Sequence, residues 1–184
     1  MDAGALPELP LRAAVSDDAG LLLVASGNSV YRVPASGPAQ QVLAAGEILS
    51  LALLPNGTDA VVADRSTASI HLLRNAGSAP ADRVLTSDIE GIGKAYPAAD
   101  GASIFVAQPG IKAVSSVDVA SGNVQTVSSN TAAGQLIPLR NRDTFLISAK
   151  PGEPGSVFFR DSDGGHVVFI PAVSRPVLRS GTAQ

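Results

Sequence analysis

Histidine is the side chain that most often serves as a base near neutral pH, and it occurs twice in this chain, as His71 and His166. A nucleophilic triad needs such a base beside its serine. His71 lies within the apolar segment SIHLL at 69–73, and His166 follows the glycine pair at 164–165. The two histidines stand in unrelated segments, so the pattern favours one structural and one solvated histidine over a catalytic site.

The segment RDSDGGH at 160–166 has part of the spacing of a calcium-binding loop, through Asp161 and Asp163. Such a loop needs an acidic or amide ligand where Phe159 stands, and a bidentate glutamate closes it. The segment has neither ligand. An ordinary polar hairpin is therefore the favoured interpretation, and we predict no metal site and no cofactor.

The composition indicates a folded domain and argues against several classes of protein. The chain of 184 residues has 45% hydrophobic residues and a net charge of −3, which suits one folded domain. Its three lysines lie far apart, so nucleic-acid binding is not expected. No apolar run reaches the ~18–20 residues of a membrane span, and no signal-peptide pattern is visible. The absence of cysteine excludes disulfides and thiolate metal sites but leaves the compartment open.

Two landmarks recur along the chain in step with each other. Turn-like segments contain Gly37, Gly77, Gly122 and Gly164. Apolar runs end in Ala25, Ala63, Ala107 and Ala149. Turn signals such as Asn56-Gly57 and Asp100-Gly101 precede these runs. Because both landmarks return after roughly 40 residues, the pattern indicates four copies of one structural unit.

Each unit is predicted to contain four short strands, A to D. Strand B is the apolar run, and its lack of alternation is typical of burial on both faces, which predicts that Phe105 and Leu146 lie between units. Strand D carries polar side chains such as Gln40, Asp82 and Gln125, as expected of an outer edge. Units of about 40–45 residues with this layout are typical of β-propeller blades. A β-sandwich is the alternative.

We therefore predict an all-β fold, a β-propeller of four four-stranded antiparallel blades. The predicted blades are about 11–46, 47–90, 91–134 and 135–172, between a lead-in at 1–10 and a tail at 173–184. Four blades could close one ring, or two such arcs could join around a two-fold axis into an eight-bladed ring, which makes a homodimer one of the two expected outcomes.

The third unit, IFVAQPGIKAVSSVDVASGNVQTV at 104–127, resembles a blade of the bacterial YVTN/NHL-type propeller repeats. The matching positions are Phe105-Val106-Ala107, Val117-Asp118-Val119 and Gly122. The other units lack the aspartate and have Arg32, Leu73 and Arg160 near its position. The resemblance implies a binding scaffold, in many members secreted or periplasmic, and it implies no particular reaction. An extracytoplasmic location is expected if the chain is part of a longer secreted protein.

The expected function is non-catalytic binding of a protein or small ligand on the face formed by the B–C and D–A loops. These loops vary while the strands keep their period, which is typical of function placed on a rigid scaffold. The predicted contact residues are Asp64, Arg65, Lys112, Lys150 and Glu153. The alternative interpretation is that these are ordinary solvated loop charges.

Two further alternatives stay open. Some propellers, such as gluconolactonase-type lactonases, are metal-assisted hydrolases that hold a metal with Glu, Asn and Asp from several blades. The inner strands of this chain offer mainly small or apolar residues at those places, among them Ala13, Leu51, Ala95 and Leu139. We therefore expect no enzyme. The chain could also be an inactive fragment of a larger propeller.

Overall fold

The computed structural model describes residues 6–129, 132–139, 144–148, 155–161 and 164–170. Within these ranges the chain forms sixteen β-strands, and no helix there has the length and apolar character needed to cross a bilayer. The strands make four separate sheets. Each sheet is an antiparallel meander of four strands that follow one another along the chain. The predicted all-β fold of four four-stranded antiparallel blades is confirmed.

The strands of each blade run in the order A to D. Blade 1 contains β1 (Pro10–Val15), β2 (Leu22–Ser26), β3 (Ser29–Arg32) and β4 (Gln40–Ala44). Blade 2 contains β5 (Ile48–Leu53), β6 (Ala60–Asp64), β7 (Ser69–Arg74) and β8 (Ala81–Thr86). Blade 3 contains β9 (Ala95–Pro97), β10 (Ser103–Gln108), β11 (Ala113–Asp118) and β12 (Val124–Ser128). Blade 4 contains β13 (Gln135–Pro138), β14 (Thr144–Ser148), β15 (Gly155–Asp161) and β16 (Gly164–Ile170).

The hydrophobic core lies between the blades, because successive side chains of a strand point to opposite faces of the sheet. In β6, Ala60 and Val62 pack into the cluster shared with blade 1, whereas Val61 and Ala63 pack into the cluster shared with blade 3. All four are fully buried. This two-sided burial explains why strand B of the middle blades is apolar without alternation.

Three phenylalanine rings fill the interface between blades 3 and 4. The ring of Phe105 on β10 meets the rings of Phe145 on β14 and Phe158 on β15 edge-on, at centroid distances of 5.2 and 5.1 Å. The prediction that Phe105 is buried between blades is confirmed. The same prediction for Leu146 is wrong: its neighbours Phe145 and Ile147 face blade 3, so Leu146 points to the opposite face and is only half-buried.

In each of the first three blades, the last residue of strand B is hydrogen-bonded to the segment that precedes strand A of the same blade. Ser26 Oγ donates to the Glu8 carbonyl (2.7 Å), Gly46 N–H donates to the Asp64 carboxylate (2.9 Å), and Gln108 Nε2 donates to the Glu90 carbonyl (2.7 Å). The partners are 18 residues apart in every case. We call Ser26, Asp64 and Gln108 the latch residues. All three are buried.

Replacing Gly122 with alanine is expected to destabilise the protein more than the same change at Gly37. Both glycines lie in turns between strands C and D and have a positive φ, +79° at Gly122 and +94° at Gly37. An alanine held at such a φ lowers the free energy of unfolding by roughly 1–2 kcal/mol. A Cβ on Gly122 would also lie 2.2 Å from the Leu85 carbonyl oxygen of blade 2, whereas a Cβ on Gly37 meets nothing within 4 Å. The collision should add about 1–3 kcal/mol. Chemical denaturation of both variants measures the difference, and equal losses would contradict the close contact between blades 2 and 3.

Candidate functional site

The B–C turn and the D–A segment of blade 2 are joined by the carboxylate of Asp64. Its two oxygens accept from the N–H groups of Gly46 (2.9 Å), Glu47 (2.8 Å) and Ser66 (2.9 Å), and from the hydroxyls of Ser66 (2.8 Å) and Thr67 (3.1 Å). The residue is only 1% exposed. This carboxylate therefore holds the two loops together at one end of the blade.

The electrostatics of Asp64 follow from these donors. Burial raises the pKa of a carboxylate because it disfavours the charged form. At Asp64 the hydrogen bonds from the Gly46, Glu47 and Ser66 groups outweigh burial and lower the pKa to about 2. The charge is consequently present at all physiological pH values.

The other predicted contact residues have different surroundings. Arg65 lies next to the latch, with its side chain 58% exposed and its Nη1 2.7 Å from Glu47 Oε1. Lys112 lies in the corresponding turn of blade 3, exposed and with a φ of +54°. Lys150 and Glu153 lie outside the described residues. The structure thus places Arg65 and Lys112 on B–C turns of neighbouring blades, and places Asp64 beneath that surface.

A chain of polar side chains continues from Asp64 across blade 2. Thr67 Oγ1 lies 2.6 Å from Ser69 Oγ, and Ser69 Oγ lies 3.1 Å from His71 Nε2. His71 Nδ1 lies 3.1 Å from both carboxylate oxygens of Asp82. Because a carboxylate only accepts, Nδ1 carries a proton and donates it to Asp82. The Thr67 proton goes to Asp64, so the single Ser69 proton faces two acceptors, Thr67 Oγ1 and His71 Nε2. Serine, histidine and aspartate stand here in the order of a nucleophilic triad.

Local strand geometry produces this order. Ser69 and His71 are two residues apart on β7 and share the face that looks toward blade 1. A register shift in the pairing of β7 with β8 lies between Ile70 and His71, next to the point where Asp82 meets the ring. A cavity of about 460 Å³ adjoins Ser69 and His71, and Ala44, Ala45 and Val84 are among the residues that line it.

The sequence pattern predicts a structural role for His71 and does not connect it with Ser69 or Asp82. The serine could have been found from the S-x-H spacing on a predicted strand, since period two places both on one face. Asp82 could not, because its position depends on the pairing of β7 with β8. The latch residues had a signal as well, since each polar latch directly follows a landmark alanine.

A second cavity, of about 620 Å³, lies where the inner strands of the blades converge. Its lining includes Ala13, Leu51, Ala95, Tyr96 and Pro138, one or two from each inner strand. Burial raises the pKa of the Tyr96 phenol, although a hydrogen bond with the Leu136 backbone acts in the opposite direction. Among the described residues, no group of three or more His, Cys, Asp or Glu side chains is placed to hold a metal ion.

No family model matches the sequence, and no curated protein matches it either. Solved structures do match. Virginiamycin B lyase from Staphylococcus aureus is 13% identical with a TM-score of 0.66, and the match covers 92% of this chain and 59% of that one. Periplasmic gluconolactonase PpgL from Pseudomonas aeruginosa is 16% identical with a TM-score of 0.61, over 90% and 57%. TolB from Acinetobacter baumannii is 15% identical with a TM-score of 0.59, over 86% and 42%.

Identities this low show a shared fold and nothing about activity. Together with the four sheets, they define the class of this chain as a β-propeller-type protein. The chain spans less than two thirds of the length of each of these structures.

Proposed function

We propose that the chain is a non-catalytic binding module of the YVTN/NHL-like kind, with a protein or small ligand held on the B–C and D–A loop face. The observation that carries the proposal is the set of hydrogen bonds that join the loops of this face to strand B. Buried latch side chains fix the loops from below, while Arg65 and Lys112 project from neighbouring turns into solvent. A surface whose backbone is already ordered loses less conformational entropy when a ligand binds.

The test begins with a partner identified by chemical crosslinking in extract and then purified. Isothermal titration should show at least about tenfold weaker binding to the double variant R65E/K112E, because both contacts would become repulsive. Arg74→Glu is the matched control, since Arg74 is exposed at the opposite end of β7. Equal binding by the double variant and the wild type, or an equal loss in the control, would show that the partner binds elsewhere.

Hydrolysis is the second candidate function. One structural neighbour is a gluconolactonase, and Ser69, His71 and Asp82 have hydrogen-bonding distances suited to activating a serine hydroxyl beside a cavity. A lactone and ester panel separates the candidates, run with the wild type, with Ser69→Ala and after treatment with a chelator. Turnover that Ser69→Ala abolishes would replace the binding proposal by a serine hydrolase. Turnover that only the chelator abolishes would replace it by a metal-assisted hydrolase.

A further inference from the structure

Exposed apolar side chains collect on the two end blades of the described structure. Nine large hydrophobic residues are exposed in the described ranges, and six of them belong to blade 1 with the segment that enters it, or to blade 4. The six are Leu9, Leu11, Val15, Ile137, Leu139 and Val168. Exposed apolar patches of this kind usually mark an interaction surface.

The first patch is the leading face of blade 1, the side turned away from blade 2. It contains Val15 paired with Leu22, and Val24 paired with Ala13 on one side and Tyr31 on the other, because directly paired residues project to the same face. Leu11 precedes this face on β1. Leu11 and Val15 are 67% and 57% exposed. By their position in strand B, Leu22 and Val24 correspond to Ile104 and Val106 of blade 3, which the preceding blade buries completely.

The second patch is the trailing face of blade 4, the side turned away from blade 3. Ile137, Leu146, Val157 and Val168 stand opposite one another across all four strands. Ile137 and Val168 are 39% and 52% exposed. In blade 3 the trailing face carries Phe105 and Ala107, which blade 4 buries completely. The trailing face of blade 4 therefore has the composition of an interface.

All three internal interfaces join the trailing face of one blade to the leading face of the next. The described part of the chain thus has two faces of complementary type, one on blade 1 and one on blade 4. The segment that enters blade 1 also indicates that its leading face is an interface. Glu8 contacts the latch residue Ser26 in the way that Gly46 and Glu90 contact the latch residues of blades 2 and 3. In blades 2 and 3 those segments follow the outer strand of a preceding blade. Blade 1 therefore has the same entry contact as the two blades that follow another blade.

We propose that a second copy of this chain covers these faces, with the trailing face of blade 4 of each copy packed on the leading face of blade 1 of the other. Two copies related by a two-fold axis make both contacts at once and complete an eight-bladed ring. Each contact repeats the packing already present between blades 3 and 4. The proposal concerns assembly and does not depend on the loop face being the binding site.

The test is the mass of the intact 184-residue chain in solution, by gel filtration with light scattering at about 1–100 µM. A mass of 37 kDa, twice the 18.5 kDa of one chain, is expected. Leu11→Asp and Val168→Asp should each weaken dimerisation at least about 100-fold, because each buries a carboxylate without a partner. Val124→Asp is the control, since Val124 is 40% exposed on an internal blade. Circular dichroism confirms that each variant is folded.

Mixing the two disrupted variants gives the sharpest result. A mixed dimer of Leu11→Asp and Val168→Asp places both aspartates in one contact and leaves the other contact intact, so the mixture should dimerise where each variant alone does not. A monomeric wild type would overturn the proposal, as would a ladder of larger assemblies. Dimers that Leu11→Asp does not affect would also overturn it, because blade 1 would then lie outside the contact.

Discussion

Truncation of Phe105 to alanine is expected to lower the free energy of unfolding by about 3–5 kcal/mol. The ring is fully buried and makes edge-on contacts with two further rings at 5.1 and 5.2 Å. Edge-to-face contacts of this kind add to the energy of burial. The cavity left behind would lie between two sheets that are held by their own backbone ladders, so it could collapse only in part.

The control is Val124→Ala. Val124 is 40% exposed at the start of β12, on an internal blade. Its truncation should cost clearly less, below about 1 kcal/mol, since little apolar surface leaves the protein interior. Urea denaturation followed by circular dichroism gives both values. Losses of equal size, or a loss below ~0.5 kcal/mol for Phe105→Ala, would contradict the packing of blade 3 on blade 4.

Replacement of Asp64 by alanine is expected to cost a comparable amount, about 3–5 kcal/mol. The substitution removes the acceptor of three backbone N–H groups and two hydroxyls at a site that is 1% exposed. Each buried donor left without an acceptor costs about 1–3 kcal/mol. Asp64→Asn should lose less, because the amide keeps one accepting oxygen. The control Asp88→Asn, at an exposed position with a φ of +60° that asparagine tolerates, should change stability by less than ~0.5 kcal/mol.

The same carboxylate makes stability depend on pH. The pKa of Asp64 is about 2 in the folded protein and 3.8 without the fold, so the folded state favours the charged form. The resulting stabilisation, about 2 kcal/mol, is complete above pH ~5 and is lost as the pH falls from there toward 2. Denaturation between pH 2 and 6 should show this dependence in the wild type and a flatter profile in Asp64→Asn. Equal slopes in the two proteins would show that Asp64 does not carry the effect.

The repeat and its strands were predictable because they depend on local chemistry. The apolar segment SIHLL at 69–73 corresponds to β7 at Ser69–Arg74. The turn signals at Asn56-Gly57 and Asp100-Gly101 place Gly57 and Gly101 at φ values of +70° and +68°. Turn residues and runs of apolar residues act through neighbours in sequence, so their pattern can be read without the fold.

Register was not predictable in the same way. Leu146 lies within a strand that the sequence identified, yet its side chain points away from blade 3 while those of Phe145 and Ile147 point toward it. A shift of one residue moves every side chain of a strand to the other face. The spacing between landmark residues varies by several residues from unit to unit. It therefore cannot determine whether a strand is shifted by one residue.

Fold class, strand order and the core character of strand B follow from the amino-acid pattern alone, because each rests on residues close together in the chain. Tertiary structure decided the rest. The latches join residues 18 apart, the pair formed by His71 and Asp82 spans two strands, and the half-buried state of Leu146 depends on which blade stands beside it. Contacts of this kind form only when sheets pack and strands take a register, so side-chain type along the chain does not specify them.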